Sequence, residues 1–373
     1  MKHPPKYTGR NAEIIENYTE HLNLKGRKES TINTKLWKIY TFLINNDDID
    51  LNTVVKEDIE KYLLERRKDK SERTYENDIK ELRPFFNWLK PENSFFENIE
   101  VPPKRKTVPT NNPLDPKDIK KLLAACKTQR DRTIIAILYD SAARIEELIR
   151  LNVGDVVFDQ YGAAITVNGK TGERRIRLIN AEPEIKLWLN QHPYRDNPDK
   201  PLFVVERKTN GEFQRISIRR IQNMLKDRAN NAGVNKRVNP HSFRHGRLTE
   251  MAKRGLGEMD MRVFAGWERS SKMPEIYLHI SGKDVDDKIL SIHGIETDTK
   301  KPEENKTLTP IECPRCHNKN PCDAKYCSHC SLVLDDLTAM DLEQYEGKMS
   351  ELLVQFMQNE EARKIFEDLQ KKD

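Results

Sequence analysis

Long apolar runs are missing from this chain. No stretch approaches the roughly 18 residues of a membrane-spanning helix, so that class is excluded. The opening text, MKHPPKYTGRNAEIIENY, contains no apolar core of a signal peptide. Apolar residues (AVILMFWYC) make up only 36% against 34% charged, and the mean hydropathy is −0.81. For 373 residues this predicts about two or three small domains with a wide polar surface. Cysteine is nearly absent before residue 313, where Cys126 stands alone in apolar helical text as a small core residue. With no secretion signal and no spread of cysteines, a disulfide-stapled fold is not expected. The setting predicted is reducing and cytoplasmic. Apolar faces recur periodically, which argues against a collagen-like or disordered chain.

The charge is uneven. The whole chain carries +5, while residues 335–373 hold eleven acidic and five basic residues, a net of −6. The first 334 residues therefore carry +5 − (−6) = +11. A basic body with an acidic tail suits a polyanionic partner, although a solvated charged surface would read the same way.

Residues 9–98 read as helices joined by short turns. Ser30 is a plausible N-cap ahead of Ile32, Leu36, Ile39 and Leu43 at helical spacing. Ile59, Tyr62 and Leu63 form a second face, and Tyr75, Ile79, Leu82 and Phe86 a third; the many Lys and Arg around them could meet phosphates. The text VPPKRKTVPTNNP over 101–113 is too rich in proline for a helix or central strand and predicts an extended linker. Asp115-Pro116 then gives an N-cap followed by proline at the first helical position. Strands are expected at Val156–Phe158, Ala163–Val167 and Arg175–Ile179. The last two flank Asn168-Gly169-Lys170-Thr171-Gly172, a hairpin signature. Helical text resumes at Ala181 and Ser217, and 241–290 reads as helix broken at Gly255-Leu256-Gly257 and Gly266. A polar stretch, 297–310, predicts a second linker.

Two C-x-x-C pairs follow, Cys313/Cys316 and Cys327/Cys330, with ten residues between them. That spacing predicts a zinc ribbon with four thiolate ligands and a structural role, because no coordination position is left open. Cys322, His317 and His329 are outranked by the paired knuckles. The linker before the ribbon predicts that it folds independently of the body. In the tail, Leu342, Tyr345, Met349, Leu352 and Phe356 alternate steps of three and four, giving one apolar stripe on a helix.

Four scattered pieces carry chemistry: Ala143-Arg144-Ile145-Glu146-Glu147-Leu148, Lys170 in the hairpin, His241-Ser242-Phe243-Arg244, and Gly266-Trp267 with Tyr277 ten residues on. Each alone has a bland reading as surface or core. Together and in this order the chain resembles the tyrosine recombinase (phage integrase) family, over residues 9–295, and the ribbon fits its archaeal members. The resemblance implies six catalytic residues: Arg144, Lys170, His241, Arg244, Trp267 and Tyr277. It also implies a fold that is mainly α with a small antiparallel β-sheet. The domains would be a helical core-binding domain at 1–100, a catalytic domain at 114–296, the ribbon at 311–334 and an acidic helical tail at 335–373.

Phosphodiester exchange without hydrolysis needs a nucleophile that keeps the bond as a covalent ester, and a tyrosine phenol suits this. Arg144 and Arg244 would clamp the transition-state oxygens with permanently charged forks. Lys170 would protonate the leaving 5′-oxygen, and His241 would assist proton transfer at phenol and phosphate. Trp267 can only donate a hydrogen bond. Glu147 would support Arg144. An i,i+4 metal pair of His241 and His245 lacks a third ligand. His279 reads as surface, and Arg247, Arg262 and Arg269 as phosphate contacts or solubility. Catalysis on this reading needs no metal or nucleotide.

The implied activity is site-specific recombination of double-stranded DNA, integrating or excising a mobile element, with protomers tetrameric on paired sites, monomeric or weakly associated without DNA, and located at the nucleoid. The tail would then meet a neighbouring protomer. A chromosome-dimer resolvase, a topoisomerase of the same chemistry and an inactive DNA-binding regulator remain alternatives.

Overall fold

The computed structural model describes residues 7–100, 112–169, 172–277, 290 and 306–358. The Val101–Asn111 linker text, Lys170, His279 and most of 297–310 lie outside the described residues. The chain divides into two compact units, Met1–Thr107 and Val108–Asp373. Among the described residues no helix is long and apolar enough to cross a membrane.

Among the described residues the first unit has four helices, α1 Ala12–Leu24, α2 Glu29–Asn45, α3 Lys56–Asp69 and α4 Glu72–Leu89. The expected apolar faces are its core: Ile39, Ile59, Ile79 and Leu82 are fully buried, and Phe42 packs edge-on to Phe86 at 5.3 Å. Ser30 is not the cap of α2; the helix starts one residue earlier, with Lys28 in extended conformation and no capping side chain. Ser71 caps α4 by accepting from Thr74 N–H. Part of the basic surface faces inward. Asp78, fully buried, accepts from Lys38 Nζ at 2.6 Å and Arg66 Nε at 2.7 Å, so Arg66 is committed to α4.

The second unit is built around α6 (Gln129–Ser141), whose Ile134, Ile135, Ile137 and Leu138 have no exposure. Against it lie α5 (Pro116–Ala124), α8 (Glu182–Gln191), α10 (Pro240–Lys253) and a three-stranded antiparallel sheet of β1 (Val156–Asp159), β2 (Gly162–Gly169) and β3 (Gly172–Leu178). Asp115 accepts from the N–H groups of Lys117 and Asp118 with Pro116 at the first helical position, as expected. Cys126 lies just past α5 rather than inside a helix. Gly169 pairs with Gly172, and Ile165 sits between Val156 and Ile176. A second hairpin, β4 (Val204–Thr209) and β5 (Glu212–Arg215), is not anticipated above. Its turn is Asn210-Gly211, both with positive φ (52° and 82°), the dipeptide that two-residue hairpin turns favour. Short α7 (Ile145–Arg150), α9 (Ile218–Asn231) and α11 (Glu258–Ala265) complete the body. From Trp267 to Tyr277 the chain is not helical, apart from one turn at Pro274–Ile276, because the left-handed Gly266 (φ 62°) ends α11; residues 278–289 lie outside the described residues.

The ribbon, with β6 (Ile311–Glu312) paired to β7 (Lys319–Asn320), packs on this body, although the linker before it predicts a module that folds by itself. Leu308 is buried in the main core and Cys322 packs against it. Arg132 on α6 donates to Glu184 on α8 at 2.7 Å and to Asp323 of the ribbon at 2.6 Å. The tail helix, α12 (Asp336–Gln358), keeps Leu342, Tyr345, Met349, Leu352 and Phe356 exposed.

Removing Arg132 leaves the buried Glu184 with one cationic partner fewer, the costly way to break a buried pair. Arg132→Ala is therefore expected to destabilise the second unit by about 3 kcal/mol. The check is the urea midpoint: it should fall with an unchanged slope. A midpoint equal to wild type would mean that the ribbon contact carries no stability.

Candidate active site and metal centre

The α6–α7 turn positions the first arginine. Ala142 ends α6 with φ 49°, and the Ser141 hydroxyl accepts from Ala143 N–H at 3.0 Å. Arg144 is thereby the N-cap of α7, with Glu147 accepting its backbone N–H at 2.9 Å. Glu147 is buried and receives two guanidiniums, Arg144 at 2.9 Å and the fork of Arg174 on β3 at 3.0 and 2.8 Å. Burial would raise its pKa, but the Arg174 fork and the Arg144 N–H outweigh burial and hold it at about 2. The carboxylate is charged throughout the neutral range. Its expected support of Arg144 is found, and Arg174 is a partner that the motif reading missed.

Three successive carbonyls at the C-terminus of α11 accept three different arginines. Phe264 O takes Arg174 Nε at 3.3 Å, Ala265 O takes Arg244 at 2.7 Å, and Gly266 O takes Arg144 at 3.1 Å. Helix C-termini leave such carbonyls unpaired and carry partial negative charge. Gly266 is required twice over: it adopts φ 62°, and a Cβ there would lie 2.6 Å from the Arg174 guanidinium.

Asn239 caps α10 by accepting from Ser242 N–H at 2.9 Å, with Pro240 at the first helical position. His241 is exposed on the first turn. Arg244 is buried and also donates to Ala142 O at 2.7 Å. Burial, then the charges of Arg144 and Arg174, lower its pKa to about 10, which leaves it cationic at neutral pH. Gly246 lets α10 approach the Leu114 carbonyl, where any Cβ would collide.

Trp267 follows Gly266 directly. Its ring lies 5.6 Å from Arg244 Cζ and stacks on Tyr277 with centroids 5.7 Å apart and 21° between planes. Arg262 fixes the intervening loop by donating to Glu268 O at 3.0 Å and Ser271 O at 2.8 Å, besides pairing with Glu258. Arg247 is also internal, paired with Asp140 and Glu250, each at 2.9 Å. Both were expected at the surface, and both instead hold elements of the site together. Tyr277 Oη lies 2.6 Å from Nδ1 of His245, a residue that the motif reading left without a role in the reaction. Burial raises the Tyr277 phenol to about 12, with Arg244 opposing. Burial, then His241 and Arg244, lowers His245 below the usual imidazole value. The His241 and His245 rings meet edge-on at 4.8 Å.

Among the described residues, Cys313, Cys316, Cys327 and Cys330 form the cluster able to hold a metal ion, with all Sγ atoms within 4.8 Å of one another. Cys313–Cys330 and Cys316–Cys327 separations are 3.5 and 3.6 Å. A tetrahedral site with Zn–S bonds near 2.3 Å has S–S edges of about 3.8 Å, so the four residues fit that ion. Burial opposes ionisation of Cys327, yet the N–H groups of Cys330 and His329 bring its thiol down to about 6. Asn320 Nδ2 stands 3.7 Å from the same sulfur. His317 instead pairs with Glu312 at the surface, and Cys322 faces the body.

The phage integrase family model matches residues 112–283. The tyrosine recombinase XerA of Pyrococcus furiosus is 27% identical over 281 residues, covering 73% of this chain and 91% of its own. XerA of Pyrococcus horikoshii is 27% identical over 292 residues, covering 77% and 96%. Among solved structures, the Tn1549 transposon integrase in complex with transposon right end DNA has a TM-score of 0.57 at 18% identity, covering 75% of this chain and 99% of that one. A lambda integrase dimer bound to a COC′ core site has a TM-score of 0.56 at 14% identity, covering 73% and 96%. These two likenesses concern the fold. With the family model falling on the stretch that assembles the arginines and Tyr277, and the relatives covering about three quarters of the chain, the chain belongs to the tyrosine recombinase (phage integrase) family and is a tyrosine-type site-specific recombinase.

Proposed function

We propose that this recombinase cuts and rejoins duplex DNA through a 3′-phosphotyrosine on Tyr277, and that its task is the integration and excision of a mobile element. The observation that carries the chemistry is the convergence of Arg144, Arg244, Trp267 and Tyr277 around the end of α11. Arg144 is half-exposed, and Arg244 is fixed by two carbonyls with N–H donors to spare. Such donors, held before substrate arrives, stabilise the extra charge of a pentavalent phosphate without reorganising. Lys170, which lies between Gly169 and Gly172 in the sequence, protonates the leaving 5′-oxygen. His241, one helical turn before Arg244 and exposed, serves the phosphate oxygens. The ribbon cysteines hold one zinc ion, which supplies a structural cross-link. Protomers act as a tetramer on paired sites.

The mobile-element reading draws on the ribbon and tail carried beyond the family match. A second reading, resolution of chromosome dimers, is favoured by the names of the XerA relatives. Sequencing the DNA covalently attached to the protein in its host separates them. Adducts at the two ends of an element and its target support integration; adducts at one chromosomal site support resolution.

Tyr277→Phe removes only the phenol oxygen. Covalent adducts should disappear while DNA affinity stays within about threefold, since the basic surface that supplies affinity remains. Persistent adducts would reject Tyr277. Arg244→Lys should lower cleavage by about two orders of magnitude, because a point charge cannot reproduce a fork held on two carbonyls. Near-normal single-turnover rates would contradict the clamp. Chelation should release one zinc per chain, unfold the ribbon and, through Leu308 and Asp323, lower the melting temperature of the body as well. A melting temperature indifferent to the metal would contradict the docking.

A further inference from the structure

We propose that His245, not His241, is the base that takes the phenol proton of Tyr277. The inference rests on Tyr277 being the nucleophile, as proposed above. Its ground is contact: the phenol oxygen lies 2.6 Å from His245 Nδ1, the distance at which a proton is handed over directly. Two packed surfaces fix that distance. Trp267 stacks on one face of the tyrosine ring, and the imidazole lies tilted at 35° with centroids 5.6 Å apart. His245 is half-buried on the second turn of α10, beside the permanently charged Arg244. A second cation there is disfavoured, so the imidazole rests neutral. With Oη donating to Nδ1, the ring proton sits on Nε2 and the Nδ1 lone pair accepts the phenol hydrogen bond.

The step balances. An Oη lone pair forms the bond to phosphorus while the phosphorus–O5′ bond breaks. The phenol proton moves to Nδ1 and leaves an imidazolium, and the departing O5′ takes its proton from Lys170. On rejoining, a 5′-hydroxyl attacks phosphorus and gives its proton back to the neutral Lys170 amine, the phosphorus–Oη bond breaks, and the imidazolium returns its proton to Oη. His241, whose ring meets His245 edge-on at 4.8 Å, keeps the role at the phosphate proposed above.

The test uses the full chain on a duplex carrying the site recovered from its own adducts, nicked so that cleavage releases a short fragment and traps the product. His245→Ala and His245→Gln should each slow single-turnover adduct formation about a hundredfold or more, with DNA binding unchanged. Glutamine can accept the phenol hydrogen bond but cannot take the proton. Replacing Tyr277 by difluorotyrosine, whose phenol ionises more readily, should restore about tenfold in the His245→Gln background and change the parent within about threefold. A Gln variant as fast as the parent, or fluorination acting equally in both backgrounds, would reduce His245 to a group that holds the ring. Loss of adducts in Tyr277→Phe with retention in both His245 variants overturns this inference alone. Retention in Tyr277→Phe overturns the reading on which it rests.

Discussion

Three guanidiniums crowd the end of one short helix, and the geometry of the site follows from how that crowding is tolerated. Arg144, Arg174 and Arg244 come from α7, β3 and α10, and each ends on a different carbonyl of the last turn of α11. Their mutual repulsion is visible in the lowered pKa of Arg244, where Arg144 and Arg174 follow burial as causes. The unpaired carbonyls offset part of it, and Glu147, clamped between Arg144 and Arg174, offsets more. What remains uncompensated is positive charge aimed at one place. On the proposed chemistry, a phosphate diester entering there would complete this ion pairing, and a pentavalent phosphate would complete it better. The same helix end fixes Trp267, and through it the ring of Tyr277. Breaking the α11 terminus would thus disperse both the proposed clamp and the proposed nucleophile.

Behind this layer stands a second set of buried charges. Asp140 on α6 accepts from the N–H groups of Ile179, Asn180 and Ala181 and from Arg247 of α10. It ties the helix bearing His241, Arg244 and His245 to the exit of β3, the strand bearing Arg174. On the far side, Arg132 joins α6 and α8 to the ribbon. The ribbon is therefore docked on the scaffold rather than a free appendage, and with the proposed zinc ion bound its cysteine cluster would link the scaffold's stability to metal.

The apolar periodicities at Leu36–Leu43 and Tyr75–Phe86, the Asp115-Pro116 start and the β2–β3 hairpin were readable because local propensity and burial agree there. So was the cluster of thiols, since spacing alone brings paired knuckles together. Three things were not readable. Ser30 has capping chemistry, but the chain entering α2 places Lys28 at the cap, which local sequence does not specify. Arg174, Arg247 and Arg262 look like surface cations; only the folded chain shows the buried carboxylates and carbonyls that hold them. His245 follows Arg244 immediately, and sequence spacing pairs it only with His241, because its partner Tyr277 lies 32 residues away. The Asn210-Gly211 hairpin is a different kind of miss: its turn signal was present and went unused.

The central claim is that one phenol, held by Trp267 and His245 beside the arginine cradle, becomes covalently joined to DNA. Mass spectrometry of the trapped adduct tests it most directly. After nuclease and trypsin digestion, peptide 273–283 should carry a nucleotide remnant joined through its 3′-phosphate to Tyr277. A remnant on any other residue, or one joined through a 5′-phosphate, would contradict the account.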